Sequence, residues 1–189
     1  NTLKADDTSA PELNTPLLKL QPLTFKQTAY LGPEYNMFDI AEGVNSQLML
    51  GTRFLMLQID FIDRDRDGFC KKFDPCLYYK NEAMTLLSKN SASLYDTIKQ
   101  INDVAFNPSI KNSSAPLVLL LHFVNLPPGD VNTYLSKAVK ALQILQPKLL
   151  TGGFYRSSKE DTLFSQTFDN FSGQVIIGTN IDTSKLIKS

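Results

Sequence analysis

The chain has 189 residues, 42% of them apolar, and its nineteen basic residues balance nineteen acidic ones. This length suits one domain with a substantial core, and the apolar content excludes a disordered or fibrous protein. A net charge of zero provides no general attraction to nucleic acid or to an anionic membrane. The longest apolar run, residues 115–124, is about half of what a transmembrane helix needs, so no transmembrane segment is expected.

Several features bear on where the protein resides. The first residue is Asn1 rather than methionine, which indicates a processed or trimmed product. Cys70 and Cys76 lie close together, and they would form a disulfide in an oxidising compartment or remain thiols in the cytosol. Triplets starting at Asn112 and Asn170 match the glycosylation sequon. Together these features favour a secreted, extracellular or luminal glycoprotein.

The predicted elements alternate between strands and helices along the chain. Residues 1–22 are rich in proline and polar residues and predict an extended arm, which leaves residues 23–189 as one domain. Apolar patterns predict five strands, over residues 24–31, 52–61, 75–80, 116–123 and 173–180. Periodicity and capping patterns predict three helices between them. The first is capped by Asp39, the second covers residues 93–106 with a Ser93/Asp96 capping box, and the third runs from Asp130 to about Pro147.

The strands are nearly continuous apolar runs rather than alternating ones. Strands of this kind, separated by helices, are typical of a parallel sheet covered by helices on its faces. We therefore expect an α/β protein with about five parallel core strands. The glycine-rich phosphate-binding patterns and the C-x-x-C pattern do not occur, which removes the usual support for a nucleotide or zinc site.

The order of these segments resembles the X region of phosphatidylinositol-specific phospholipase C, and most of all the secreted PLC-like phosphodiesterases of fungi and plants. The resemblance runs from about residue 24 to residue 180 and is strongest in "QLMLGTRFLMLQIDF", residues 47–61. It implies a TIM-type (β/α) barrel, incomplete or irregular in this chain, with its site at the carboxyl ends of the strands. Arg53 begins a strand, far from those ends, so we expect a structural role for it.

The catalytic positions implied by the resemblance are degenerate. The family uses two histidines as general acid and base, and carboxylates on the second strand that hold calcium. The positions of this chain that match the family site are Glu34, Met56, Gln58, Tyr79 and His122. The chain contains a single histidine, and a thioether stands where calcium requires oxygen. The resemblance therefore implies a domain that has lost catalysis and serves in binding or assembly.

Two further hypotheses stay open. In the first, Glu34, Asp60 and His122 form a rearranged site, and the protein is an active phosphoric diester hydrolase of inositol phospholipids. The alternative for these residues is structural: Asp60 is the ordinary polar end of a barrel strand, and His122 caps a buried strand. The protein is an inositol-phosphate or glycan-binding module if aromatic residues line the old cleft; otherwise they pack in the core. These aromatic residues are Tyr30, Tyr35, Tyr78, Tyr79 and Phe123.

The stretch "DRDRDG", residues 63–68, matches the start of a calcium-binding loop. The ligands of such a structural calcium would be Asp63, Asp65, Asp67 and Asp74. The interleaved arginines and the preceding strand argue against an EF-hand, and the alternative is a solvated turn closed by the two cysteines. Apart from such a structural calcium, none of the proposed functions requires a cofactor.

A complete barrel of this type takes about 250 residues, more than this chain contains. An open half-barrel would expose a strand edge and an apolar face. We therefore expect a protein partner, an oligomer or the remaining half of a cleaved precursor.

Overall fold

A computed structural model describes residues 24–25, 28–31, 35–61, 70–71, 73–77, 80–81, 86–87, 90–150 and 166–182. The predicted arm lies outside these ranges. Several predicted site residues also lie outside them, namely Glu34, Asp63, Asp65, Asp67, Tyr78 and Tyr79.

The described chain contains ten strands, three α-helices and two short 3₁₀ segments. The strands are β1 (Thr24–Phe25), β2 (Tyr30–Leu31), β3 (Met37–Phe38), β4 (Phe54–Phe61), β5 (Pro75–Leu77), β6 (Lys80–Asn81), β7 (Leu86–Leu87), β8 (Ala92–Ser93), β9 (Leu117–Phe123) and β10 (Val175–Thr179). The helices are α1 (Ile40–Met49), α2 (Leu94–Ala105) and α3 (Val131–Leu142), with 3₁₀ segments at Gln143–Lys148 and Phe168–Phe171.

The main sheet is mixed rather than parallel. Its strand order is β10-β9-β4-β5-β8, with β1 also paired to β4. Strands β1, β4, β9 and β10 run parallel, whereas β5 and β8 are antiparallel to their neighbours. The expectation of about five parallel strands is therefore wrong for the segment that starts at Pro75. The sequence of residues 62–74 has no amphipathic pattern for the crossover helix that a parallel neighbour would need, and β5 pairs antiparallel with β4. Within the described ranges these strands form an open sheet and not a closed barrel.

The strand predicted over residues 24–31 is interrupted. Ala29 has a φ of 72°, which turns the chain between β1 and β2. Thr28 N still donates to Met56 O at 3.1 Å, so the segment follows β4 up to that turn. Beyond the turn, β2 pairs with β3 in a separate antiparallel hairpin.

All three predicted helix caps are confirmed. A side-chain oxygen accepts a hydrogen bond from the backbone N–H three residues later in each case, and the pairs are Asp39 with Glu42, Ser93 with Asp96, and Asp130 with Thr133. The helix predicted to run from Asp130 to Pro147 is α-helical only to Leu142 and continues as a 3₁₀ segment. Proline lacks the N–H that an α-helical turn would use.

Strand β4 separates two faces of the sheet. Leu55, Leu57 and Ile59 are fully buried in the core formed with the helices. Because side chains alternate along a strand, Met56 and Gln58 lie on the opposite face, where both are half-buried. At the amino end of that face, a second apolar cluster consists of Val118, Phe171 and Ile176.

Arg53 has the structural role predicted for it. The side chain is 5% exposed and donates to Ala105 O and Ala115 O, both at 2.6 Å. Its guanidinium carbon lies 5.0 Å from the centre of the Phe106 ring. Burial lowers the pKa of Arg53 to about 10. These hydrogen bonds connect the beginning of β4 to the end of α2 and to the segment that leads into β9.

Candidate functional site

Polar side chains meet where the parallel strands β4 and β9 end. Gln58 of β4 lies in register with His122 of β9, and Asp60 follows two residues later on the same face as Gln58. His122 is exposed and Gln58 is half-buried. The structure thus places two predicted family positions, Gln58 and His122, side by side at the carboxyl edge of the sheet, where α/β proteins hold their sites.

Asp60 is an almost buried carboxylate at this edge. Its side chain is held in place because Asn125 Nδ2 and the Phe61 backbone N each donate to Asp60 Oδ1 at 2.8 Å. Burial raises the pKa of Asp60, and the two hydrogen bonds oppose that rise. The residue can therefore bind a proton more readily than an exposed aspartate.

Three residues that the sequence analysis did not identify help to build this edge. Tyr134 Oη donates to Asp60 O at 2.7 Å and ties α3 to the end of β4. Burial, and then the charges of Asp60 and Asp74, raise the pKa of Tyr134, so the hydroxyl remains a donor. The other two residues are Asn125, which holds Asp60, and Asn180, whose side-chain amide pairs with both backbone groups of Phe123.

A sequence signal exists for two of these three residues. Asn125 and Asn180 each come directly after an apolar strand, which is where polar site residues of a parallel sheet occur. Tyr134 gives no such signal, because its helical spacing also fits a core position.

The donor set at this edge does not suit the calcium of the resembled family. Met56 offers a thioether and Gln58 a single amide oxygen where a hard cation prefers carboxylates. Asp60 is a carboxylate at this edge, but its Oδ1 already accepts two hydrogen bonds. Asp74, which directly precedes β5, is paired with Lys137. The described part of this edge is therefore unsuited to holding a catalytic metal.

The aspartate loop is described only at its end. Asp74 Oδ1 accepts from Lys137 Nζ at 2.8 Å, and both side chains are 40% exposed. No group of three metal-binding side chains occurs within the described residues, but three of the four proposed ligands lie outside them. The structural calcium remains a prediction.

The two cysteines form a disulfide, which confirms the oxidised alternative. Cys70 and Cys76 have Cα atoms 6.2 Å apart, and both residues are buried. The bond ties Cys70 to the middle residue of β5. It fits a protein that matures in an oxidising compartment.

The described aromatic residues that were proposed to line a cleft differ in their environments. Core packing, the alternative, holds for Tyr30 and Phe123: Tyr30 packs edge-on against Phe38 at 5.3 Å, and Phe123 packs against Tyr134 at 6.5 Å. Tyr35 is 58% exposed. A different aromatic cleft of about 540 Å³ lies on the helix-covered side of the sheet; its lining includes Phe61, Phe73, Pro127, Pro128 and Tyr134.

The fold is similar to that of solved phospholipase C structures. The crystal structure of L. pealei PLC21 matches with a TM-score of 0.57 and 16% identity, over 87% of this chain and 18% of that chain. S. officinalis PLC21 matches with a TM-score of 0.50 and 18% identity, over 87% and 18%. The phosphatidylinositol-specific phospholipase C from Listeria monocytogenes has a TM-score of 0.47 and 12% identity, over 91% and 54%.

The two PLC21 matches define a class of fold. The chain has a PLC-like α/β fold and spans 18% of the length of either PLC21. No family model and no curated protein matches the sequence. Within the described ranges, none of the helices combines the length and the apolar character needed to cross a bilayer.

Proposed function

We propose that this chain is a secreted PLC-like domain that has lost phosphodiester hydrolysis and acts by binding a protein partner in an assembly. The observation that carries the proposal is the pairing of Gln58 with His122, the only histidine of the chain, at the carboxyl edge. An amide stands beside the histidine, where the resembled chemistry would use a carboxylate.

The reaction needs two proton-transferring groups. The attacking inositol hydroxyl must lose a proton and the leaving alcohol must gain one. His122 is able to serve as one such group. The positions that match the family's two histidines are Glu34 and Tyr79, and neither is a histidine. The neighbouring Gln58 matches a calcium ligand, and its neutral amide is unable to transfer the second proton.

The scaffold around this edge is nevertheless ordered for binding. Tyr134, Asn125 and Asn180 use their polar atoms to hold the ends of the strands in place. Such preorganisation lowers the entropic cost of association. The buried disulfide and the sequons support the secreted part of the proposal.

The raised pKa of Asp60 favours a second candidate, an active hydrolase of inositol phospholipids. In that case Asp60 and His122 would divide the roles of acid and base, together with Glu34. A buried carboxyl with a raised pKa at the end of a strand is a recognised property of catalytic acids.

The third hypothesis is a binding module for inositol phosphate or glycan. Lys137 lines the neighbouring cleft with Phe61 and Tyr134. It is paired with Asp74 at 2.8 Å, so less of its charge is left to recognise a phosphate.

The decisive experiment is a hydrolysis assay with the secreted full chain on phosphatidylinositol vesicles, with and without calcium. We expect no turnover above the rate without protein. Turnover that disappears in both His122→Ala and Asp60→Asn would overturn the proposal in favour of the hydrolase. The matched control is Val124→Ala, which truncates an exposed neighbour, 41% accessible, that has no part in the chemistry.

Native mass spectrometry tests the assembly. The chain alone has a mass of 21.1 kDa, and we expect a larger complex in the protein isolated from its source. A monomer at chain mass would contradict the assembly role. Recording the same spectrum after chelation tests the structural calcium, because a bound ion would be lost as one calcium mass per chain.

A further inference from the structure

Two large apolar side chains are exposed together at the end of α1. Met49 is 66% exposed and Leu50 is 72% exposed. Gly51 follows them with a φ of 85° and turns the chain toward β4. The pair therefore lies at the amino edge of the sheet, opposite the edge that carries Asp60 and His122. Adjacent apolar side chains in water promote association unless something covers them.

Asn112 lies directly against this turn. Its Nδ2 donates to Gly51 O at 3.4 Å, and a Cβ on Gly51 would come within 3.0 Å of the same nitrogen. Asn112 is exposed and has a φ of 58°, a left-handed conformation that asparagine tolerates. It begins the sequon Asn112-Ser113-Ser114. The amide that a glycan would modify thus contacts the residue that follows the exposed pair.

The second sequon comes to the same edge. Ser172, the hydroxyl residue of the Asn170 sequon, donates through Oγ to Ser114 O at 2.7 Å. Gly173 N donates to the same oxygen at 2.8 Å. Asn170 is exposed as well. Because β9 and β10 both begin at this edge, the two sequons form one patch on the side of the sheet away from the candidate site.

We propose that Asn112 carries an N-linked glycan and that this glycan covers Met49 and Leu50. The transfer forms a bond between Asn112 Nδ2 and the anomeric carbon of the first sugar. It breaks the bond from that carbon to the diphosphate of a lipid-linked oligosaccharide donor, and the amide loses one proton. The C–H faces of the first sugars then pack on the two aliphatic side chains and remove them from water. The proposal depends on passage through a secretory pathway and not on the binding function proposed above.

The test uses the full chain secreted from a eukaryotic cell, compared with its Ser114→Ala variant. This substitution removes the sequon but preserves the left-handed backbone of Asn112 and the carbonyl that Gly173 and Ser172 use. We expect Ser114→Ala to lose the mass of one glycan that peptide N-glycosidase releases from the parent protein. It should also bind more of a fluorescent dye specific for apolar surface and scatter more light on standing.

Two controls distinguish the covering of Met49 and Leu50 from other effects of a glycan. Asn170→Gln removes the neighbouring sequon and should leave dye binding unchanged, because the apolar residues beside it, Phe168 and Phe171, are already buried. Adding Met49→Gln and Leu50→Gln to Ser114→Ala should cancel the increase in dye binding.

Two results would overturn the proposal. One is secreted protein that carries no glycan at Asn112. The other is a Ser114→Ala protein whose dye binding equals that of the glycosylated parent. If Ser114→Ala does not fold, peptide N-glycosidase can remove the glycans from the folded parent, which converts the glycosylated asparagine to aspartate. An Asn112→Asp protein is then the reference for that product. Unchanged dye binding after that treatment would count equally against the glycan as a cover.

Discussion

The backbone of Ala29 lies so close to Gly43 of α1 that a Cβ on Gly43 would come within 2.5 Å of the Ala29 Cα. The contact accompanies the turn at Ala29, whose φ is 72°, and a hydrogen bond from Asp39 N to Ala29 O at 2.9 Å. The glycine therefore lets the backbone of Ala29 lie directly on the first turn of α1.

Replacing Gly43 with alanine should destabilise the protein. Alanine is normally the better helix former by about 1 kcal/mol, but here its methyl group would displace backbone atoms that have no rotamer to change. We expect a loss of roughly 1–3 kcal/mol in the free energy of unfolding, measured by urea denaturation. The matched control is Ala41→Gly at an exposed position of the same helix, where only the propensity cost of about 1 kcal/mol applies. A Gly43→Ala protein as stable as the parent would contradict the close contact.

Arg53→Met should be among the most damaging substitutions outside the apolar core. The guanidinium donates to the carbonyls of Ala105, Ala115 and Pro116, and its removal leaves these buried or half-buried acceptors without the arginine. We expect a loss of roughly 3 kcal/mol or more in unfolding free energy. Lys148→Met is the control, since Lys148 Nζ lies 4.6 Å from the centre of the same Phe106 ring. That contact should contribute less than about 1 kcal/mol. Equal losses in the two variants would show that the carbonyl contacts are unimportant.

Asp60→Asn should leave the fold intact and change how stability depends on pH. The folded protein raises the pKa of Asp60, so folding favours its protonated form. The contribution of Asp60 to stability is therefore fully present below the unfolded pKa and is lost as the pH rises through the folded pKa. An asparagine has no such loss, because its oxygen can accept from Asn125 and Phe61 at any pH.

Urea titrations of Asp60→Asn and the parent across the acidic range test this expectation. The stability of the variant relative to the parent should increase with pH and level off above the folded pKa. Asn125→Ala serves as the control, because it removes one hydrogen bond to the carboxylate and leaves the titrating group in place. A variant that loses stability relative to the parent as the pH rises would show that the hydrogen bonds outweigh burial.

The double variant Cys70→Ala/Cys76→Ala should fold with reduced stability. The disulfide closes a short loop, with a sequence separation of 6. Chain-entropy arguments give about 2 kcal/mol for a loop of this length. Reduction of the parent with a thiol should lower its unfolding free energy by a similar amount, and the same treatment should not affect the double variant. A parent protein indifferent to reduction would contradict a stabilising role for the bond.

The local sequence was sufficient to predict the elements whose signals are local. The apolar runs of β4, β9 and β10 predicted buried strands, because short runs of consecutive apolar side chains are typical of strands covered on both faces. The caps at Asp39, Ser93 and Asp130 were equally predictable, since each cap bonds a backbone group only three residues away. The likeness to phospholipase C, read from the order of these elements, agrees with the fold found in solved structures.

The direction of β5 and the break at Ala29 could not be predicted in the same way. The pattern of apolar residues gives no information about strand direction, because the same residues are buried whether a strand runs parallel or antiparallel. The turn at Ala29 depends on the absence of a side chain at Gly43, which lies on the next helix. Neither cause is visible within a short window of sequence.

The sequence by itself determined where the buried strands and capped helices lie, and that the chain has a single histidine. Only the tertiary structure decided what surrounds the site. Asp60 receives its hydrogen bonds from Asn125, 65 residues later, and from Tyr134, 74 residues later. Two sequons and an exposed apolar pair likewise meet at the opposite edge only after folding. The physical reason is range: periodicity and capping act within a few residues, whereas burial, pKa and surface contacts depend on which distant segments the sheet brings together.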